Sequence, residues 1–243
     1  MKRPDPKTPA GARHAPRPRS EWLVPASLLL LAAVPALGGI YRVLHVSLGG
    51  EVTPANQRFF DGPAPVVLHG VACALFAFLG AFQFTAGSRR RPRRHRLRGA
   101  LFVPSALVVA TTGLWMEASY ELPAHDGDLL SVFRAVFGTA MIATTLLGVR
   151  ALLRREYARH GAWMMRTYAI GMGAGTQVVV LLPWMLLVGE PDVFQRALLM
   201  GAGWAINVAF VEWILHRRAR RNETPPAFVE LAVLPRAREV RGS

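Results

Sequence analysis

Residues 66–87 read VVLHGVACALFAFLGAFQFTAG, a run without one charged side chain, and residues 88–98, which follow directly, read SRRRPRRHRLR with seven arginines. As a helix rising about 1.5 Å per residue, the first stretch is roughly 33 Å long, enough to cross the hydrocarbon of a bilayer. The second is excluded from it. Outward from this junction the same kind of apolar run recurs at residues 22–44, 99–118, 129–149, 167–189 and 197–215. Together the six runs predict an all-α fold, a polytopic membrane helical bundle of six transmembrane helices. Pro25, Pro35, Pro104 and Pro183 fall inside them, which bilayer helices tolerate because neighbouring helices satisfy the carbonyls that proline frees.

Composition agrees. Of 243 residues 52% are apolar and 18% charged, yet 29 Lys and Arg face 15 Asp and Glu for a net charge of +14, so the basic residues must crowd outside the runs. They do so on one side only. The segment before Trp22 holds six, residues 88–98 seven, residues 150–166 five and the end from His216 seven, whereas the three alternate loops hold only Arg58 and Arg196 among seven carboxylates. Because loops retained in the cytoplasm are the ones enriched in Lys and Arg, both termini are expected to be cytoplasmic and the protein to lie in the cytoplasmic membrane.

Residues 1–21, with five prolines among six basic residues, read as a disordered basic arm that touches anionic lipid headgroups. Residues 22–216 form the membrane domain, and 217–243 a cytoplasmic tail whose first arginines anchor at the interface. A signal peptide is the competing reading of the start, but the apolar run continues to Leu44, which favours an uncleaved first helix. The second and third helices form a hairpin with His95 in its basic turn, as the fourth and fifth do with His160, which points to parallel repeats.

Several chemistries are excluded. A single cysteine, Cys73, allows no disulfide framework or CxxC pair. Gly171, Gly173 and Gly175 lie within a span with no strand before them, so they serve close helix packing rather than phosphate binding. The arginine run is a short turn between two spans, and nucleic acid is not an expected partner. No Ser-His-Asp, HExxH or Walker spacing occurs.

Polar groups inside a bilayer are costly and are the default functional candidates, each set against a plain structural role. They fall in two layers. The outer holds His69, Glu117 and Arg134, with His45 nearby. An ion pair between Glu117 and Arg134 across the short loop at residues 119–128 is the economical reading, and Glu117, Arg134 and Gln83 are the polar-pocket candidates, with Gln177 on a path. The inner layer holds His95, His160 and His216 with Gln83, Arg166 and Glu212, the last a turn from His216 and placed to pair with it. A b-type haem needs two imidazoles at one depth on facing helices and basic groups near its propionates. His95 and His160 meet that on paper as iron ligands, with Arg98 and Arg166 for the propionates and His69 as a further cofactor-binding candidate, possible also in a second, outer site with His45.

His69 with Gly80 and Gln83, then His95-Arg96-Leu97-Arg98-Gly99, then His160-Gly161-Ala162-Trp163-Met164-Met165-Arg166 together resemble the bacterial predicted-membrane-protein family called domain of unknown function 2306. The resemblance covers residues 66–183, and its most specific parts are the HRxxG and HxxWMxR turns. Gly161, Ala100 and Phe102 stand where the family usually has a basic residue, a basic residue and a tyrosine, which weakens any role that needs those groups. The family implies an architecture and candidate residues but no reaction. Histidine motifs in a four-helix membrane core are similar to those of cytochrome b561-like proteins, and by that analogy haem b would pass electrons to or from a quinone or redox partner protein. The competing classes are a small-solute or ion transporter or binding protein with an outward-facing polar pocket, and a non-catalytic module that associates through the Gly171 to Gly175 face.

Overall fold

The structure is a computed structural model that describes residues 18–84 and 92–223. These residues form eight helices and no strand: α1 (Pro18–Ser47), α2 (Gln57–Asp61), α3 (Pro63–Gln83), α4 (Pro92–Ser119), α5 (Gly127–Leu153), α6 (Tyr157–Gly171), α7 (Gly173–Leu187) and α8 (Val193–Glu223). Six stretches, with α6 and α7 counted together, are long and apolar enough to cross a membrane. An even number of crossings returns the chain to the side from which it started. Most of the basic arm (1–17), the end of the second apolar run with Arg89 to Arg91 (85–91) and most of the tail (224–243) lie outside the described residues.

The helices outrun the apolar runs at the basic end of the bundle. α4 begins at Pro92 and α6 at Tyr157, so His95 and His160 sit in first helical turns rather than in loops. Likewise α1 begins at Pro18, inside the segment read as an arm, and α8 continues to Glu223. Arginine is a good helix former whose long stem lies along apolar surface while its charge stays in water, so a helix need not stop where the hydrocarbon does.

Outside, the bundle is as apolar as a lipid-facing surface must be: Leu30, Leu186 and Leu187 are 77%, 75% and 85% exposed. Lipid tails solvate such surfaces, and the spans are held together by close packing. α3 packs on α4 and α5 on α6, while α1 lies across α3 and α7, and α8 across α5, α6 and α7. Toward the basic end the interior is aromatic. Phe76 stacks on Phe102 at 4.9 Å and lies 5.4 Å from Tyr168, which is 5.2 Å from Phe84.

The fifth span is broken near its middle. The helical ladder lapses around Met172, between Gly171 and Gly173, where glycine makes helix weakest, although Met172 itself keeps its bonds to the Tyr168 carbonyl and from the Thr176 amide. The neighbouring helix fills the gap: Asn207 of α8 donates Nδ2 to the Ala169 carbonyl at 3.1 Å and accepts the Thr176 hydroxyl at 2.8 Å. Asn207 is thus a repair to a discontinuous helix. All three glycines face neighbours within the chain, as their sequence context predicted. A methyl group at Gly171 would meet Phe76, at Gly173 Trp204 and at Gly175 the Leu31 backbone. The face read as a possible surface for association is therefore occupied by α3, α8 and α1.

The two central hairpins follow one plan. His95 and Gln83 approach each other twelve residues apart at the first basic turn, and His160 and Gly148 twelve apart at the second. One and the same offset relates Pro92 to Tyr157 at helix starts, His95 to His160, Gln83 to Gly148, His69 to Arg134, Thr112 to Gln177, and Asp61-Gly62 to Asp126-Gly127. The parallel-repeat expectation gains geometric support from this coincidence.

Candidate functional site

At the acidic end of the bundle, α3, α4, α5, the α6–α7 break and α8 line a half-open cavity of about 370 Å³. Its polar lining comes from Arg58, His69, Glu117, Tyr120, Asp126, Arg134 and Gln177, and Val109, Leu114, Phe137, Met141, Ile170 and Trp204 are among its larger walls. Phe76, which packs against the lining residue Gly171, joins this cavity to the aromatic cluster of Phe102 and Tyr168. A larger cleft of about 500 Å³ lies beside the cavity, lined by residues that include Arg58, Asp61, Trp115, Tyr120 and Glu121. Its carboxylates are exposed and solvated, whereas the cavity is lined by the buried Asp126, so the cavity is the better site.

The Glu117 and Arg134 pair expected from sequence is present, with Nη1 of Arg134 3.2 Å from Oε2 of Glu117. It belongs to a larger network. Nη2 of Arg134 donates to Oδ2 of Asp126 at 2.7 Å, and Nε of Arg196 to Oδ1 at 3.0 Å. Asp126 is only 4% exposed. Burial pushes its carboxyl up, but the hydrogen bonds and charges of Arg134 and Arg196 outweigh that and hold it below its ordinary value of 3.8. Arg58 reaches the Glu121 carbonyl at 3.2 Å, and Tyr120 donates to the Gly62 carbonyl. Two carboxylates thus face two guanidiniums, and one oxygen is left over: Oε1 of Glu117 is buried with no hydrogen-bond partner.

His69 has a defined tautomer. Thr112, 5% exposed, gives its hydroxyl proton to the Val108 carbonyl and so must accept from the imidazole, whose Nδ1 is 3.0 Å away. Nδ1 therefore carries the proton and Nε2 a lone pair. Across the cavity, Gln177 donates Nε2 to the Met200 carbonyl at 3.0 Å. Its backbone is so close to Gly203 that a methyl group there would lie 2.9 Å from its nitrogen.

The other sequence candidates lie elsewhere. Gln83 is at the basic end, where its amide donates to the His95 carbonyl at 3.2 Å and lies 3.4 Å from Nε2 of the His95 ring, so it does not line the cavity. Arg98 reaches the Phe82 carbonyl at 3.5 Å. Nδ1 of His160 donates to the Gly148 carbonyl at 2.9 Å. Arg166 grips Glu212 with both Nε and Nη2, the latter at 2.8 Å, and lies 4.6 Å over the Trp163 ring. Glu212 thus pairs with α6 rather than simply with His216. His45 donates to the Glu51 carbonyl at 3.0 Å, stacks on Tyr41 and does not line the cavity with His69. Among the described residues no three His, Cys, Asp or Glu side chains gather as a metal site.

Sequence reasoning gave Asp126 and Arg196 no role in the site. Their signal was present as an exception: Arg58 and Arg196 are the two basic residues that stand in loops otherwise stripped of positive charge, and both proved to be engaged at the mouth.

A family model described as "Predicted membrane protein (DUF2306)" matches residues 66–215. The match passes the end of α7 and takes in most of α8, the helix that supplies Arg196, Trp204, Asn207 and Glu212. No curated protein matches the chain, and no solved structure matches it.

Proposed function

The chain belongs to the DUF2306 family of predicted membrane proteins, and from that premise we propose that it binds a small organic solute in the cavity at its acidic end, which the charge bias directs away from the cytoplasm. One observation carries the reading. Glu117 lines a cavity of ligand size and keeps one buried carboxylate oxygen without a donor, and a buried acceptor without a donor is costly unless something comes to fill it. The broken fifth span beside the cavity fits, since discontinuous helices line solute sites in membrane transporters. Binding is the step this geometry supports.

The test is a thermal-stability panel on purified protein in mild detergent, using small neutral, cationic and anionic organic solutes. A ligand at a hundred times its Kd stabilises by about 2.7 kcal/mol. At least one solute is expected to raise the Tm of the wild type and to do so much less for Glu117→Gln and Arg134→Gln. A panel without effect, or equal effects on wild type and both variants, removes this reading.

A second reading is a b-type haem held by His95 and His160, with electrons passing to a quinone or a redox partner. One observation favours it: an imidazole whose Nδ1–H is held by a backbone carbonyl, as in His160, is oriented for Nε2 to bind a metal. His95 fits less well, because its Nε2 faces the Gln83 amide, and Arg166 is committed to Glu212 instead of a propionate. A reduced-minus-oxidised spectrum decides. A Soret band that His160→Ala abolishes would establish haem, and no band in protein from haem-replete cells would eliminate it.

A further inference from the structure

The turn between α5 and α6 carries an arginine where glycine would be least strained. Arg155 has φ 61°, and among the described residues no other residue except glycine has a positive φ. The turn requires that conformation: Glu156 donates its N–H to the Ala151 carbonyl at 2.9 Å and Arg155 its own to the Leu152 carbonyl at 2.9 Å, the pair of bonds that closes a helix through one left-handed residue. Glycine takes such a position freely, whereas a Cβ there crowds the backbone. Strain retained at a single residue points to its side chain as the reason.

That side chain is not used within the protein. Arg150, Arg154 and Arg155 are exposed, and among the described residues none of the three makes a side-chain hydrogen bond or ion pair. The one carboxylate of the turn, Glu156, is held by Arg159 at 3.0 Å. Arg150 and Arg154 lie one turn apart on the same face of α5, so three guanidiniums gather here without a counter-charge. Apolar side chains stand among them. Leu153 is 80% and Tyr157 67% exposed, and both come after Arg150, past the end of the apolar run. The rule that gathers arginines at this end accounts for the charge, but it is indifferent to backbone conformation and to exposed leucine.

An anion supplies what the cluster lacks, and its neighbours indicate the source. A phosphate free in water gains nothing from Leu153 or Tyr157. A phospholipid offers both parts at this depth, a phosphodiester for the guanidiniums and acyl chain for the apolar side chains and the arginine stems. A zwitterionic headgroup would bring its own cation into the cluster, so the preference falls on an anionic one. We propose that the α5–α6 turn is a docking site for an anionic phospholipid of the leaflet at the basic end, with Arg150, Arg154 and Arg155 on the phosphate and Leu153 and Tyr157 beside the chains. The site is independent of the cavity, which lies at the opposite end of the bundle.

The test is binding of acyl-labelled phosphatidylglycerol to the full-length protein in mild detergent, with phosphatidylcholine of the same chains as reference. Wild type is expected to prefer phosphatidylglycerol. Each arginine at an anionic surface is worth a factor of about five, so Arg154→Gln combined with Arg155→Gln should weaken phosphatidylglycerol roughly 25-fold and leave phosphatidylcholine unchanged. Arg93→Gln combined with Arg94→Gln, exposed arginines at the start of α4, controls for positive charge in general and should cost much less. Arg155→Gly separates conformation from binding. It should raise the Tm in lipid-free detergent by about 2–4 °C while weakening phosphatidylglycerol about fivefold. Equal binding of the two lipids by wild type, a comparison that needs no variant, overturns the proposal, as do equal losses in the two double variants. A Tm of Arg155→Gly no higher than wild type overturns it too, because the turn then holds no strain for lipid binding to explain. Competition by glycerol 3-phosphate as strong as by unlabelled phosphatidylglycerol assigns the arginines to a soluble phosphate and overturns the lipid site.

Discussion

Asp126→Asn is expected to lower the Tm by roughly 5–10 °C, the effect of about 2–3 kcal/mol in a chain of this size. The carboxylate joins α5 to α8, accepting from Arg134 at 2.7 Å and from Arg196 at 3.0 Å. An amide cannot balance two guanidiniums, and its NH₂ would point a donor at one of them. The arginine side chains are 25% and 24% exposed, so water screens part of the loss and the figure stays below that of a fully buried pair. Glu156→Gln is the control. Its partner Arg159 is 72% exposed, and an exposed pair three residues apart contributes well under about 1 kcal/mol. Equal effects of the two substitutions would show that the Asp126 network is not a structural clamp.

The same residue predicts a pH dependence with a definite sign. The folded-state pKa of Asp126 lies below the ordinary 3.8, so its contribution is complete above that value and is lost as pH falls through the folded value. The gap in Tm between wild type and Asp126→Asn should therefore be constant near neutrality and close on acidification below about pH 4. A gap that persists unchanged through that range would assign the loss to shape rather than charge.

Replacing Gly175 and Gly161 by Ala should shift stability in opposite directions. In an open helical position alanine is better than glycine by about 1 kcal/mol, and a methyl group at Gly161 has nothing within 4 Å. At Gly175 it would strike the Leu31 carbonyl oxygen of α1, with the Leu31 carbonyl carbon at 3.0 Å. Backbone cannot rotate aside as a side chain does, so α1 must retreat, at a cost of about 1–3 kcal/mol. Pro35 explains why this carbonyl is there to be met. Four residues after Leu31, it has no N–H to return to that oxygen, and the Cα–H of Gly175 points at the freed acceptor. Denaturation of the two variants in one detergent decides, and a loss at Gly175 no greater than at Gly161 would dismiss the contact.

Much of the architecture was legible because a bilayer imposes length, apolarity and charge side separately on each segment. The pairing of Glu117 with Arg134 was legible too, since adjacent spans joined by a short loop must bring their ends together. Its enlargement by Asp126 and Arg196 was not, because Asp126 lies in a loop with no periodicity and Arg196 begins a helix that reaches the site only through packing. The pairing of Glu212 with Arg166 was missed for the same reason. His216 is its neighbour along one helix, whereas Arg166 is brought to it by another.

By itself, the sequence determined that this chain crosses a membrane six times, which segments cross, and that basic turns gather at one end, all of them properties of single stretches of chain. Only the tertiary structure decided that the fifth crossing breaks at Met172 and is mended by Asn207, that Glu117 keeps an unpaired oxygen, and that His69, Glu117, Arg134 and Gln177 surround one cavity while Gln83 stands apart from it. Hydrogen-bond satisfaction and enclosed volume depend on which helix faces come together, and packing between helices distant in sequence is what settles them.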